Sequence, residues 1–133
     1  MSEKFTYLSP EWAAEALKRL KSELPPEKMN NVSTSMSNIY KNCPDNKEHF
    51  LFIQADNGAV TRVEVGDGEA PKAEFTISGD YDVFARISRA ELSSQRALMT
   101  GKLKVRGNMA KALKLAAVAD RLNKVLSQIP AIY

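Results

Sequence analysis

The sequence predicts an α+β domain. Three observations carry this. Apolar residues recur at helical spacing near both ends of the chain, five short runs of strand period lie between them, and Gly, Pro, Asn and Asp punctuate nearly every junction. The 133 residues suit one domain, 1–133. Apolar residues at 44% suffice for a core and exclude a disordered chain.

The first predicted element is a helix from Pro10. Ser9 is placed to cap it, Pro10 fits its first position, and Glu11 favours the positive end of the helix dipole. Trp12, Ala13, Ala16, Leu17, Leu20 and Leu24 make one apolar stripe. Pro25-Pro26 stops the helix. Trp12 is expected in the core.

Four strands follow. Val32–Tyr40 is rich in Ser and Thr and alternates weakly; its spacing also suits a helix. Ser33, Ser35 and Ser37 share one face if it is a strand, as in edge pairing. The run from Asn42 to Asn46 is a turn. His49–Ile53 is apolar on both faces, so it is expected inside the sheet with both sides covered. Asp56-Asn57-Gly58 reads as a hairpin turn into Thr61–Val65, where Thr61, Val63 and Val65 alternate with Arg62 and Glu64. Ala73–Ser78 is the fourth strand.

The period then becomes helical. Asp80 or Asp82 starts a helix bearing Val83, Phe84, Ile87 and Leu92. Ser93 or Ser94 opens a short helix with Leu98 and Met99, and Gly101 supplies a left-handed stop. Lys102–Arg106 alternates as the fifth strand, Leu103 and Val105 inward and three cations outward. Asn108 caps a last helix from Met109 to Ile129, before Pro130. A bend or break is expected near Asp120, where the apolar face would otherwise pass.

Several function classes are disfavoured. No run of 18 apolar residues exists, and Met1 to Phe5 lacks the layout of a signal peptide, so a cytoplasmic protein is expected. One cysteine and one histidine are too few for a structural zinc site, and no cofactor or metal is expected. Cys43 and His49 could pair, but no third orienting group is evident; a turn thiol and a surface histidine explain them. No Gly-x-Ser-x-Gly elbow occurs, Gly66-Asp67-Gly68 carries acids that would repel a pyrophosphate, and Gly101-Lys102 lacks the hydroxyl of a phosphate loop. No catalytic set emerges, so the chain is read as not an enzyme.

Charge is uneven. Residues 1–85 hold 9 Lys/Arg and 14 Asp/Glu, whereas residues 86–133 hold 10 and 2. The basic third could meet an anionic membrane. It has no interleaved aromatics for base stacking, so nucleic acid is not expected.

The run Ala97-Leu98-Met99-Thr100-Gly101-Lys102-Leu103-Lys104-Val105-Arg106-Gly107-Asn108-Met109, with Ala112-Leu113-Lys114-Leu115 after it, resembles the C-terminal signature of the sterol carrier protein type 2 family. The strand-then-helix unit after Ala73 resembles the family too. The resemblance implies a five-stranded, mostly antiparallel sheet with helices packed on one face. It also implies non-catalytic binding and transfer of a fatty acid, fatty acyl or sterol-like lipid in a tunnel between sheet and helices. On this reading Phe84, Ile87, Leu98, Met99, Leu103, Val105, Met109, Leu113, Leu122, Leu126 and Ile129 line the lipid site. Arg86, Arg96 and Lys102 hold a headgroup at the rim. The segment from Leu122 to Ile129 is a movable lid or a fixed wall. Expected partners are a lipid or fatty acyl ligand, an anionic membrane in transient contact, and a second copy in a homodimer. The alternative role is an accessory module assisting an enzyme of lipid or quinone metabolism. The C-terminal Ala131-Ile132-Tyr133 lacks a Ser-Lys-Leu-type peroxisomal address.

Overall fold

A computed structural model describes residues 4–132; Met1–Glu3 and Tyr133, which figured in the leader and address arguments, lie outside them. The chain order is β1 (Phe5–Thr6), α1 (Pro10–Glu23), a 3-10 turn (Pro26–Met29), β2 (Thr34–Lys41), β3 (His49–Asp56), β4 (Ala59–Asp67), β5 (Phe75–Asp80), α2 (Tyr81–Ser88), α3 (Ser94–Met99), β6 (Lys104–Arg106), α4 (Met109–Leu126) and β7 (Ala131–Ile132). The main sheet has five strands in the order β4-β3-β2-β5-β6. Only the β2–β5 pair is parallel; the other three are antiparallel. The fold is the expected α+β arrangement, with the helices on one face.

The caps act as the sequence requires. Ser9 Oγ accepts from the Trp12 N–H at 3.1 Å, Ser93 Oγ from the Arg96 N–H at 3.0 Å, and Asn108 Oδ1 from the Lys111 N–H at 3.1 Å. In α1, Trp12, Ala13, Ala16 and Leu20 are buried. Trp12 is a core residue, fully enclosed, with the Tyr7 ring edge-on at 5.0 Å.

The polar strand β2 lies at the middle of the sheet, where the serine pattern had suggested an edge. Its outward face is covered by the loop between β4 and β5. Ser37 Oγ, fully buried, donates to the Pro71 carbonyl at 2.7 Å, and Ser35 Oγ accepts from the Glu74 N–H at 2.9 Å. Hydroxyls serve there because the covering layer is backbone rather than a helix. On the same face Phe52 of β3 is buried, with the Arg62 guanidinium over its ring at 4.9 Å.

Asn57 and Gly58 form a two-residue hairpin loop, both with positive φ, as a primed turn demands. A Cβ on Gly58 would lie 2.6 Å from the Pro26 carbonyl oxygen, so the hairpin tip packs directly under the 3-10 turn. The register shifts between Gln54 and Ala55, which places Thr61 in a bulge. Val60, nearly unexposed, therefore takes the inward position that the alternation had given to Thr61, which is exposed.

Three further expectations are corrected. The helix after β5 ends at Ser88, so Leu92 belongs to the connection before α3. The strand β6 covers only Lys104–Arg106; Lys102 and Leu103 precede it. Helix α4 runs unbroken through Asp120 and stops at Leu126 rather than Ile129. Asp120 does not break the helix because its carboxylate has work elsewhere: Oδ1 accepts from the Ser94 N–H at 2.7 Å, capping α3.

The sequence pattern gave no sign of β1 and β7. These two-residue strands pair in parallel and join the two ends of the described chain.

Candidate functional site

Beneath α4 the packing leaves a cavity of about 90 Å³. Its floor is the inward face of the sheet: Met36 and Asn38 of β2, Leu51, Ile53 and Ala55 of β3, and Phe75 and Ile77 of β5. These positions share one face because side chains alternate along each strand and the register aligns Met36 with Ile53 and Phe75. Phe84 and Ile87 of α2 and Leu98 of α3 form a side wall. The roof is α4, which turns Ala112, Leu115, Ala116, Ala119, Leu122 and Leu126 inward. The roof residues include a row of small ones, Ala112, Ala116 and Ala119 at helical spacing, and Ala55 is a small residue of the floor.

Leu103 reaches this wall because of Gly79. A Cβ at Gly79 would lie 2.6 Å from Leu103 Cδ2, so only glycine admits the Leu103 side chain there. Tyr40 also lines the cavity; its ring stacks on Phe84 with centroids 4.2 Å apart, and its hydroxyl lies 3.2 Å from that of Tyr7. Among the described residues, no Lys, Arg, Asp or Glu is on the wall.

Of the residues expected to line a lipid site, Phe84, Ile87, Leu98, Leu103, Leu122 and Leu126 face the cavity. Ile129 is buried in the core away from it, and Val105 is half-buried on β6 outside it. Met99, Met109 and Leu113 stand in solvent, 72%, 50% and 39% exposed. In α4 the inward positions belong to Ala112 and Ala116, so Met109 and Leu113 project outward. Sequence reasoning missed the whole sheet floor and the alanine row. The spacing of Ala112, Ala116 and Ala119 was the available signal, since a void needs small side chains.

The three rim cations do not reach the cavity. Arg96 and Lys102 are exposed and Arg86 is half-buried. Lys104, Arg106 and Lys114 are exposed as well, as are Met99, Met109 and Leu113; Lys104 and Arg106 pair with Ser78 and Thr76, whose side chains alternate with the cavity-facing Ile77. Arg19 Nη1 donates to the Gln128 carbonyl at 3.1 Å, and β7 pairs with β1 just beyond the end of α4.

A second cluster lies at the turn between β2 and β3. Cys43, Asp45 and His49 bring their donor atoms within 4.8 Å of one another beside a surface groove. Asp45 supplies the third group that the sequence had not revealed: its Oδ2 lies 2.7 Å from His49 Nε2. That contact holds the Asp45 carboxyl below its ordinary range. Burial pushes the Cys43 thiol up, opposite to what a nucleophile needs. The three donors could hold a divalent cation after the thiol loses its proton.

Comparison with known proteins decides the family. The family model described as SCP-2 sterol transfer family matches residues 5–120. The chain belongs to the SCP-2 sterol transfer family. An oleate-induced peroxisomal protein of Candida maltosa is 40% identical over 84 residues, covering 62% of this chain and 63% of that protein. Hydroxysteroid dehydrogenase-like protein 2 of Xenopus laevis is 35% identical over 78 residues, covering 58% of this chain but 18% of that protein. The chain thus spans about a fifth of the length of those dehydrogenase-like relatives. Among solved structures, a sterol carrier protein 2 crystal structure superposes with TM-score 0.81 at 22% identity, covering 92% of this chain and 98% of that one. A palmitated sterol carrier protein 2-like protein of Aedes aegypti superposes with TM-score 0.59 at 21% identity, covering 83% and 93%. As an SCP-2 domain, the chain has a lipid-binding and lipid-transfer fold. No helix among the described residues is long and apolar enough to cross a membrane.

Proposed function

We propose that the chain binds a single-tailed or sterol-like lipid in the cavity under α4 and carries it without breaking bonds. The observation that supports this is the uncharged, mainly apolar wall around an interior void in an SCP-2 family chain. Each buried methylene stabilises the complex by about 0.8 kcal/mol. A tail of about a dozen carbons therefore supplies about 10 kcal/mol before ordering costs, against the roughly 8 kcal/mol that micromolar affinity requires, and a longer tail offsets those costs.

The void of about 90 Å³ is smaller than the whole ligand. A dry cavity of about 150 Å³ holds benzene, so a long tail must displace side chains or part of α4. Leu98, Leu103 and Leu115, with Met29 and Met36, are the flexible part of the wall. Phe84, Ile87, Leu122 and Leu126 are the expected ligand contacts among the residues read from sequence.

Arg86, Arg96 and Lys102, outside the wall, suit an anionic membrane better than a ligand headgroup, and the exposed Met99, Met109 and Leu113 suit shallow insertion beside them. A cytoplasmic site of action belongs to the same reading. The test is extraction of the natively purified protein followed by mass analysis of its small molecules. Stoichiometric lipid supports the reading; clean protein that also fails to take up a fluorescent fatty acid removes it.

A second reading is favoured by one observation: the dehydrogenase-like relatives carry the matched region in a far longer chain. The domain would then assist an enzyme by presenting its lipid. A lipid-free protein that co-purifies with such an enzyme would favour this reading.

A further inference from the structure

Asn38 lies in the centre of the sheet, paired in register with Leu51 on one side and Ile77 on the other. It is 7% exposed and faces the cavity. Its side-chain amide makes no hydrogen bond to any described residue. The other polar groups on the wall are answered: Thr34 Oγ1 donates to Glu74, Ser94 Oγ accepts from Asn123, and the Tyr7 and Tyr40 hydroxyls meet each other. Its amide atoms are not fully enclosed, unlike the unpartnered Trp12 Nε1, so they keep accessible surface with no protein partner on a wall that is mostly apolar, and polar groups so placed in folded proteins are nearly always paired. The fold therefore keeps an open hydrogen-bonding position at the bottom of an apolar space.

The chemistry of the position selects its partner. The amide offers two N–H donors and one carbonyl acceptor. A hydroxyl, which both gives and takes a hydrogen bond, can answer one N–H donor or the carbonyl acceptor without bringing in charge. A carboxylate would enter a wall that has no cation to compensate its lost solvation. We infer that Asn38 is the polarity-reading residue of this cavity and that the guest enters with a neutral oxygen leading, as a lipid alcohol does, to hydrogen-bond the Asn38 amide. The inference rests on the lipid reading above and adds an orientation and a ligand class to it.

The test compares hexadecanol, hexadecane and palmitate, the last above its carboxyl pKa, by displacement of a fluorescent fatty acid. Native protein is expected to prefer hexadecanol over hexadecane by roughly tenfold, the size of one well-placed hydrogen bond. Palmitate is expected to bind more weakly than hexadecanol. Asn38→Leu, close in volume, should bring the alcohol-to-alkane ratio near one while leaving hexadecane binding intact, and should raise the Tm of the ligand-free protein. Asn38→Ala repeats the comparison if leucine prevents folding. An alcohol preference that is absent, or that survives both substitutions, overturns the assignment; a structural water on the amide would give that result. Binding of palmitate in preference to hexadecanol also overturns it. Failure of all three probes overturns the lipid reading, and this inference with it.

Discussion

The carboxylate of Asp120, midway along α4, accepts the Ser94 N–H at the start of α3 at 2.7 Å. The bond ties the roof of the cavity to its side wall, and Asn123 adds a second tie by donating to Ser94 Oγ at 2.7 Å. Asp120→Ala should lower stability by about 1–2 kcal/mol, the cost of a lost helix cap and an unpaired N–H. Asp120→Asn should recover much of that loss. Urea unfolding of the two variants checks the claim; an Asp120→Ala variant as stable as native protein would refute it.

The alanine row sets the capacity of the cavity. Ala116→Leu should reduce uptake of a fluorescent fatty acid at least about tenfold, while its side chain fills the void and leaves the ligand-free fold cooperative. Leu103→Trp should block uptake in the same way, whereas Met109→Trp, on the exposed side of α4, should leave it unchanged. Equal uptake by native protein and Ala116→Leu would place the lipid elsewhere.

Acid should weaken the fold partly through Glu74. Hydrogen bonds from Lys111 and Thr34 hold its carboxyl below the ordinary glutamate value. A depressed folded-state pKa gives stability that is present above the unfolded value and is lost as pH falls through the folded one. Glu74→Gln should flatten the acid limb of the stability profile, read as urea midpoint against pH. An unaltered acid limb would contradict the prediction.

Cys43 should resist modification. Burial raises its thiol pKa, so little thiolate is present at neutral pH, and the side chain is 4% exposed. Its reaction with a disulfide reagent should be at least about tenfold slower than that of a free thiol. Unfolding in urea should restore the ordinary rate. Fast reaction in the folded state would refute the prediction.

The exposed cations at and beside β6 should govern membrane contact independently of the cavity. Replacing Lys102, Lys104 and Arg106 together by Glu should abolish sedimentation with anionic vesicles at low salt, while uptake of a soluble fluorescent fatty acid persists. Vesicle binding that survives the triple change would move the membrane face to another surface.

Much of the fold was legible in local signals. Ser9, Ser93 and Asn108 each announce a helix start, and Asn57-Gly58 announces a hairpin, because these residues act on backbone within three positions. Long-range effects were not legible. The centre position of β2 depends on a loop that arrives 34 residues later to accept from Ser37. The bulge at Thr61 shifts the alternation by one residue without any marking in the sequence. Asp120 looked like a helix breaker because its acceptor role is fulfilled 26 residues away. The candidate site was half visible for a related reason. Large apolar residues advertise burial, but emptiness comes from Ala55, Ala112, Ala116 and Ala119, which advertise nothing singly.

The clasp between β1 and β7 has a mechanical consequence. Phe5 donates to the Pro130 carbonyl at 2.9 Å and Tyr7 to the Ile132 carbonyl at 3.0 Å, so the segment leaving α4 is clamped to the opposite end of the chain. A guest that lifts the roof must therefore strain against anchors at both ends of α4, since the Lys111–Glu74 ion pair at 2.5 Å holds the Met109 end.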